Sequence, residues 1–265
     1  MSTTKQRSSQ RWISTEPAST SPPQSPADQT QSPLAALKHR EEGYTLLSGK
    51  GIEIGAFGEP AKLPSSCQVS YFDAIDPKTA SARFPEIQSS DLVPVDILGD
   101  VDKRDLRKLA AGSQDFVIAN HVIEHVACPI AMIEDMFHIL RPGGRIAIAA
   151  PDKRYTFDKE RPLTSYEHLE TEYQNGVDEV DDEHYLDFLR HVGKHVFEEP
   201  GRDIKGDIAF ARSRREHAHV WDSHTFLEFL MACKETLGIE FQIEFQSSGE
   251  ENGIEFFAIL KKLPL

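Results

Sequence analysis

Hydrophobic positions along this chain fall into short runs separated by glycine, proline and charge. Gly51-Ile-Glu-Ile-Gly-Ala-Phe-Gly-Glu-Pro reads as a buried strand, a glycine turn and a brief helical segment. Val69-Ser-Tyr-Phe-Asp-Ala-Ile-Asp-Pro reads as a second strand that ends in an acid. Ahead of both, residues 34–47 predict a helix with Leu34, Leu37 and Tyr44 near one face. Residues 92–98 predict a third strand. Pro94, which lacks an N–H for a ladder bond, places it at a sheet edge. A helix over 105–111 follows, then an apolar run of strand length, Asp115-Phe-Val-Ile-Ala-Asn. Pro129 opens a helix at its favoured first-turn position. Ile130, Ile133, Phe137 and Leu140 share one face of it at i, i+3, i+7 and i+10. Arg141-Pro-Gly-Gly ends that helix, and residues 145–151 form a fifth strand.

Strands alternating with helices define a parallel, doubly wound sheet. Residues 151–220 break the alternation with an acid-rich stretch, several histidines and two predicted helices, 164–173 and 183–197. They read as an insert at the carboxyl end of the sheet. Ser223 caps a helix running through Thr236, and residues 240–245 and 254–260 form a hairpin. Residues 1–33, mostly Ser, Thr, Pro and Gln, bury too little apolar area to offset their ordering entropy and read as a disordered tail.

Composition narrows the function classes. A formal charge of −14 argues against a general nucleic-acid binder, which needs clustered Lys and Arg. Cys67, Cys128 and Cys233 are too scattered for a disulfide framework or zinc ribbon and fit a reducing compartment. No apolar run reaches the roughly 20 residues of a membrane span. No apolar segment follows the basic residues near the N-terminus, so a cytoplasmic location is expected.

The candidate chemistry begins at the first turn. Gly55 and Gly58 have no Cβ, which allows positive φ and a close approach of ligand to backbone. Asp73 ends the second strand about twenty residues past Glu53, a spacing suited to accepting hydrogen bonds from a ribose diol. Asp76 is its rival; Asp73 is preferred because it closes the apolar strand directly.

A parallel sheet finishing in an antiparallel hairpin departs from the dinucleotide-dehydrogenase layout. It resembles the class I S-adenosylmethionine-dependent methyltransferases, whose seventh strand runs antiparallel. Local matches are Glu53-Ile-Gly-Ala-Phe-Gly, Tyr71-Phe-Asp, Asp115-Phe-Val-Ile-Ala-Asn-His-Val-Ile-Glu-His and Leu140-Arg-Pro-Gly-Gly-Arg, covering roughly residues 45–155. The continuation Pro151-Asp-Lys-Arg-Tyr-Thr-Phe-Asp is similar to a methyltransferase-domain subgroup (type 11-like) often found near glycosyltransferases.

The resemblance implies a Rossmann-like, doubly wound, mostly parallel seven-stranded sheet with an antiparallel C-terminal strand and a helical insert after strand 5. It places the methyltransferase domain at 34–265, with 151–220 as a lid or substrate insert. It implies S-adenosylmethionine as cofactor and a small polar acceptor, with a sugar or glycan as the candidate. Glu53 would order the first turn and place the methionine moiety, and Gly55, Ala56 and Gly58 would line it. The family turn usually carries a further glycine, where this chain has Phe57 followed by Glu59-Pro60. Asp73 matches the ribose-binding acid. Asp100, with the backbone of Val101, matches the position that pairs with the adenine amine, although as a residue it reads nearly as well as a helix N-terminal acid. Asn120 and His121 would face the methionine and methyl region.

A hydroxyl acceptor also needs a base, and histidine is the side chain poised near neutral pH. His121 and His125 are the catalytic candidates, with His168, His217 and His219 behind them. His121-Val-Ile-Glu-His125 spells H-x-x-E-H, which on a helix would present two zinc-binding histidines with Glu124 as base. It directly follows a core strand and no downstream acid stands out as third ligand, so no metal is expected. His217-Ala-His219, beside Glu216, carries ligand-type residues but reads as a lid segment leading to Trp221. A zinc hydrolase and a non-catalytic, cofactor-binding scaffold are the alternative classes. The acid run 178–183 reads as a solvated face or an attractor for a cationic amine. Tyr155, Phe157 and Trp221 read as acceptor pocket or core.

Overall fold

A computed structural model describes residues 37–84, 87 and 89–264; the predicted tail and the start of the first helix lie outside these. In chain order the elements are α1 (Lys38–Tyr44), β1 (Gly49–Ile54), β2 (Cys67–Asp73), α2 (Pro77–Arg83), β3 (Ile97–Leu98) and β4 (Gln114–Asn120). Then come α3 (Pro129–Ile139), β5 (Leu140–Pro151), α4 (Tyr166–Gln174), α5 (Asp182–His191), α6 (His195–Glu198) and α7 (Ile204–Arg214). The last four are α8 (Ser223–Leu237), β6 (Phe241–Ser247), α9 (Gly249–Asn252) and β7 (Glu255–Lys262).

The strands form one seven-stranded sheet in the order β3-β2-β1-β4-β5-β7-β6. β7 runs antiparallel to both β5 and β6, and the other pairings are parallel. Side chains alternate across the sheet with period two. Ile52, Ile54, Val117, Ala119, Ile146 and Ile148 face α3 and α8, where Ile133, Phe137, Phe226 and Phe229 complete the larger core. Phe116, Ile118, Ala147, Ala149, Phe257 and Ile259 face the other way, against Tyr44 and Leu47.

Several boundaries differ from expectation. The brief helix predicted after the first turn is absent: residues 55–66 run as turns and irregular chain, and Pro60 and Pro64 lack the N–H a helix interior needs. Ala61 and Leu63 pack onto the second face instead, beside α1. The third strand shrinks to Ile97–Leu98, at the sheet edge Pro94 implied. The predicted 105–111 helix is one 3-10 turn, Asp105–Lys108, followed by an extended Leu109. Asp222, not Ser223, caps α8 in a capping box with Thr225. The two insert helices are shorter than predicted, and α6 and α7 were not anticipated. Trp221 is core, stacked near Phe226 and Phe229, whereas Tyr155 and Phe157 are exposed. The three cysteines are free thiols. Among the described residues, no helix is long and apolar enough to cross a membrane.

Candidate active site

Parallel strands end on one edge, so Ile54, Asp73, Asn120 and Pro151 emerge together, where open α/β sheets bind ligands. Antiparallel β7 delivers its first residue, Glu255, to the same edge opposite Pro151.

At the first turn Gly55 has φ +65° and its N–H donates to the Phe72 carbonyl at 3.0 Å. The second positive φ falls on Phe57 (+47°), not on Gly58 as the sequence suggested. The Phe57 ring is held edge-on to Phe84 at 5.7 Å. Gly58 serves a different need: a Cβ there would sit 3.0 Å from the Asp91 carbonyl oxygen. Glu53, buried at the end of β1, accepts from the Ala61 N–H at 2.9 Å. Burial pushes its carboxyl up to about 7, against the opposing pull of that N–H and of Arg40.

Asp73 ends β2 and accepts from the Ile75 N–H at 3.2 Å. Burial raises its carboxyl above the ordinary range. It lines a cleft with Ala56, Phe57, Tyr71, Ile75 and Val93. Asp76 is spent elsewhere: it caps α2 by accepting from the Thr79 N–H at 2.9 Å. Asp100 is not a helix cap. Its Oδ1 accepts from the Asp102 N–H at 3.0 Å, and its Oδ2 pairs with Arg215, which reaches in from the end of α7. Half-buried Asp102, pushed up to about 6 by desolvation, accepts from the Ala127 N–H at 2.8 Å. Val101 is buried beside them.

Asn120 donates from Nδ2 to the Tyr44 hydroxyl at 2.8 Å, while its Oδ1 is buried without a protein partner. His121 is left-handed (φ +52°), fixed by its N–H donating to the Ala149 carbonyl. Its Nε2 donates to Glu255 Oε2 at 2.7 Å. Glu255 also accepts from His39 Nε2 and Arg40 Nε, each at 2.7 Å, and from Arg40 Nη2. Burial alone would raise the Glu255 carboxyl, but the bonds from Arg40, His121 and His39 hold it well below the usual carboxylate range.

The H-x-x-E-H residues do not share a helix face. His121 is left-handed, and only Ile123–His125 makes a 3-10 turn. His125 Nδ1 donates to the Arg215 carbonyl, and its ring meets that of His217 edge-on at 4.7 Å. Burial, with His217 beside it, pushes His125 down to about 3, which makes it a weak base. Glu124 is buried, its carboxyl pushed up to about 7 by desolvation. His217 Nδ1 donates to Asp158 at 2.6 Å, and His168, His184 and His219 cluster apart from this edge, in the insert.

Sequence reasoning missed Glu255, Arg40, Arg215 and the buried Arg161. Glu255 did leave a signal: it is an acid opening the otherwise apolar run Phe256-Phe-Ala-Ile-Leu.

The sheet order, with its antiparallel seventh strand, is that of the class I methyltransferases. The profile described as "Methyltransferase domain" matches residues 31–231, and the chain belongs to that family. It is a class I S-adenosylmethionine-dependent methyltransferase. Among solved structures, a methyltransferase from Methanosarcina mazei is 15% identical, with a TM-score of 0.44 over 84% of this chain and 97% of that one. A Rhodobacter sphaeroides structure provisionally named a Zn-dependent alcohol dehydrogenase reaches a TM-score of 0.50 at 14% identity, over 86% and 89% of the two chains, a likeness of fold alone. The CurJ carbon methyltransferase is 10% identical with a TM-score of 0.41; 82% of this chain is covered, and the chain spans about half (49%) of that structure. Comparison with curated proteins gives no match.

The residues at the edge fit such a cofactor. The Asp73 carboxylate faces a cleft, Asn120 Oδ1 is buried and unpartnered, and a Cβ on Gly55 would press to 3.0 Å from Val122. Glu53 makes the fold's stability pH-dependent. Its folded value lies above its ordinary 4.5, so the folded state binds the extra proton and this group's contribution to stability falls as pH rises from 4.5 through 7. An ionised Glu53 is the form suited to an ammonium. Titration of S-adenosylhomocysteine should therefore tighten about tenfold between pH 6 and 8, with proton release, and Glu53→Gln should flatten that slope. A pH-independent wild-type affinity would remove Glu53 from the ammonium site.

Proposed function

We propose that the protein methylates a hydroxyl of a small polar acceptor of the sugar or glycan class, with His121 as general base. The observation that carries this reading is the His121–Glu255 pair beside Asn120 at the carboxyl edge of the sheet. S-adenosylmethionine supplies, when bound, a methyl group made electrophilic by its sulfonium. Glu53, Gly55, Ala56, Gly58, Asn120 and His121 would hold its amino-acid end, Asp73 its ribose, and Asp100 with the Val101 backbone its adenine. Arg215, already paired with Asp100, would close that end.

Because the carboxylate accepts from Nε2–H, the His121 lone pair is on Nδ1, ready to take the acceptor's proton. The rest of the task is alignment, which is able to supply roughly 7–11 kcal/mol of the barrier. Residues 151–220 would form the acceptor lid. A cavity of about 220 Å³ lined by Asp100, Asp102, His125, Tyr185 and Arg215 lies where this insert meets the strand ends. The acid run contributes fixed structure there: Asp178 pairs with Lys103 at 2.8 Å, Arg212 bonds Glu179 and Asp182, and Asp181 caps α5. Support for a sugar comes from the Pro151–Asp158 resemblance.

The test pairs binding with turnover. Calorimetric titration of S-adenosylhomocysteine should show binding that Asp73→Ala weakens roughly 10- to 150-fold, the equivalent of a lost charge-assisted bond of about 1.5–3 kcal/mol. Transfer of labelled methyl should then favour sugars and glycans over amines and carbon acids of similar size. An affinity indifferent to Asp73 would overturn the ribose assignment, and labelling of amines alone would overturn the acceptor class.

A further inference from the structure

Within the insert, three imidazoles converge on one carboxylate. His168 and Glu172 lie one turn apart on α4, His184 stands in the first turn of α5, and His219 belongs to the segment entering α8. His168 Nε2 and His184 Nε2 are 3.0 Å apart. Glu172 Oε1 is 3.1 Å from the first and 3.2 Å from the second, and Glu172 Oε2 is 3.7 Å from His219 Nε2. One ligand atom from each residue lies within 4.8 Å of all the others. Four donors around a tetrahedral cation, with bonds of about 2.0–2.1 Å, stand roughly 3.3–3.4 Å from one another. The approaches among His168, His184 and Glu172, 3.0–3.2 Å, come close to that spacing, and a ligand atom of His219 lies within 4.8 Å of each.

A second observation points to a ligand. Fully buried His219 donates from Nε2 to the Val126 carbonyl at 3.0 Å, which leaves its lone pair on Nδ1. That Nδ1 is buried without a protein partner, and so is Glu172 Oε2. Asp181 similarly accepts from His184 Nδ1 at 2.8 Å and turns the opposite ring nitrogen toward Glu172. A backbone carbonyl and a carboxylate behind the rings are the outer partners that orient metal-bound imidazoles. A buried polar atom without a partner costs free energy, which a proton or a cation bound there relieves.

We propose that His168, Glu172, His184 and His219 bind one divalent transition-metal ion of the zinc type. Four protein donors close the coordination shell, as in structural rather than catalytic sites. The ion joins α4, α5 and the 217–221 segment, and through His219 the loop at Val126 that follows β4. Half-exposed His168 borders a cavity of about 310 Å³ lined by Pro162, Leu163, Ser165 and Asp187, which gives the ion a route in. The site is separate from the H-x-x-E-H sequence, and it replaces the expectation that the chain holds no metal. Glu216 takes no part, being bonded to Arg214.

The test uses the full chain, free of a histidine tag and stripped by chelator, titrated with Zn²⁺ alone against a chromophoric competitor. One equivalent should bind. His168→Ala, at a half-exposed position, should weaken it by more than the roughly 10- to 100-fold expected for Asp181→Asn, which removes only an outer partner. His224→Ala, on an exposed face of α8, should change nothing. Co²⁺ should give the intense visible absorption of a four-coordinate ion. Less than a tenth of an equivalent bound would overturn the proposal and leave a protonated His184 paired with Glu172. An equivalent that survives His168→Ala and is lost in His125→Ala would also overturn it, by placing the ion at Glu124, His125 and His217.

Discussion

Asparagine in place of His121 should lower turnover by roughly 10²- to 10⁴-fold, the loss that follows removal of a positioned general base. S-adenosylhomocysteine affinity should change by less than about tenfold, a cost of under 1.4 kcal/mol. Asparagine is the informative choice because residue 121 is left-handed, and asparagine tolerates that region while alanine adds strain. The variant thus removes the imidazole without disturbing the turn at the end of β4. Glu255→Gln should reduce turnover in the same direction, since a neutral amide no longer dictates which His121 nitrogen carries the proton. It also leaves Arg40 buried without its counter-charge, so its stability has to be measured beside its rate. Single-turnover methyl transfer across pH separates the two effects. A fall of less than threefold for His121→Asn, with the fold intact, would take His121 out of the mechanism.

Arg161→Leu should be the most damaging single change in the insert, at about 3–5 kcal/mol of stability. The Arg161 side chain is 1% exposed. Its Nε donates to Asp187 at 2.8 Å, Nη1 to Asp158 at 2.9 Å and to the His217 carbonyl at 3.0 Å, and Nη2 to the Ala218 carbonyl at 3.2 Å. One guanidinium thus ties α5, the 3-10 turn Phe157–Glu160 and the segment carrying His217. Leucine fills the space but strands the buried Asp158 carboxylate and two carbonyls, while the partly exposed Asp187 keeps access to water. Lysine keeps the charge without the fork that reaches four acceptors, and should recover only part of the loss. For a domain of this size the leucine variant should melt roughly 6–20 °C lower, from about 2–4 °C per kcal/mol. A shift under 2 °C in calorimetry would show that the insert is anchored by its apolar contacts instead.

What the sequence disclosed followed the physics of each element. The centres of β4 and β5 are buried on both faces and so read as unbroken apolar runs, Phe116–Ala119 and Ile146–Ala150, and the carboxyl ends of β1, β2 and β4 located Glu53, Asp73, Asn120 and His121. α7 was silent because its burial rests on Asp207 and Ala211, with no apolar stripe to betray it. Ion pairs from Arg202 to Asp207 and from Arg212 to Asp182 tie it down instead. The helix expected after the first turn came from the βαβ habit, which two prolines and the covering position of α1 override. Partners across long separations left no local mark: Arg215 meets Asp100 from 115 residues away. The metal-type cluster escaped notice for the same reason, because its four members are scattered over two helices and the irregular segment 216–220.

β7 carries Glu255 to His121 across 134 residues of chain. A ribosome adding roughly 5–20 residues per second finishes β4 about 7–27 s before it makes the carboxylate that orients the imidazole. From its own completion until then, β5 is an open, apolar sheet edge through Ile146–Ala150, the kind of edge that pairs with whatever strand is nearest. The strand that completes the His121–Glu255 pair is also the one that covers this edge. Emergence of β7 therefore covers the open edge and supplies the partner of His121 in one event.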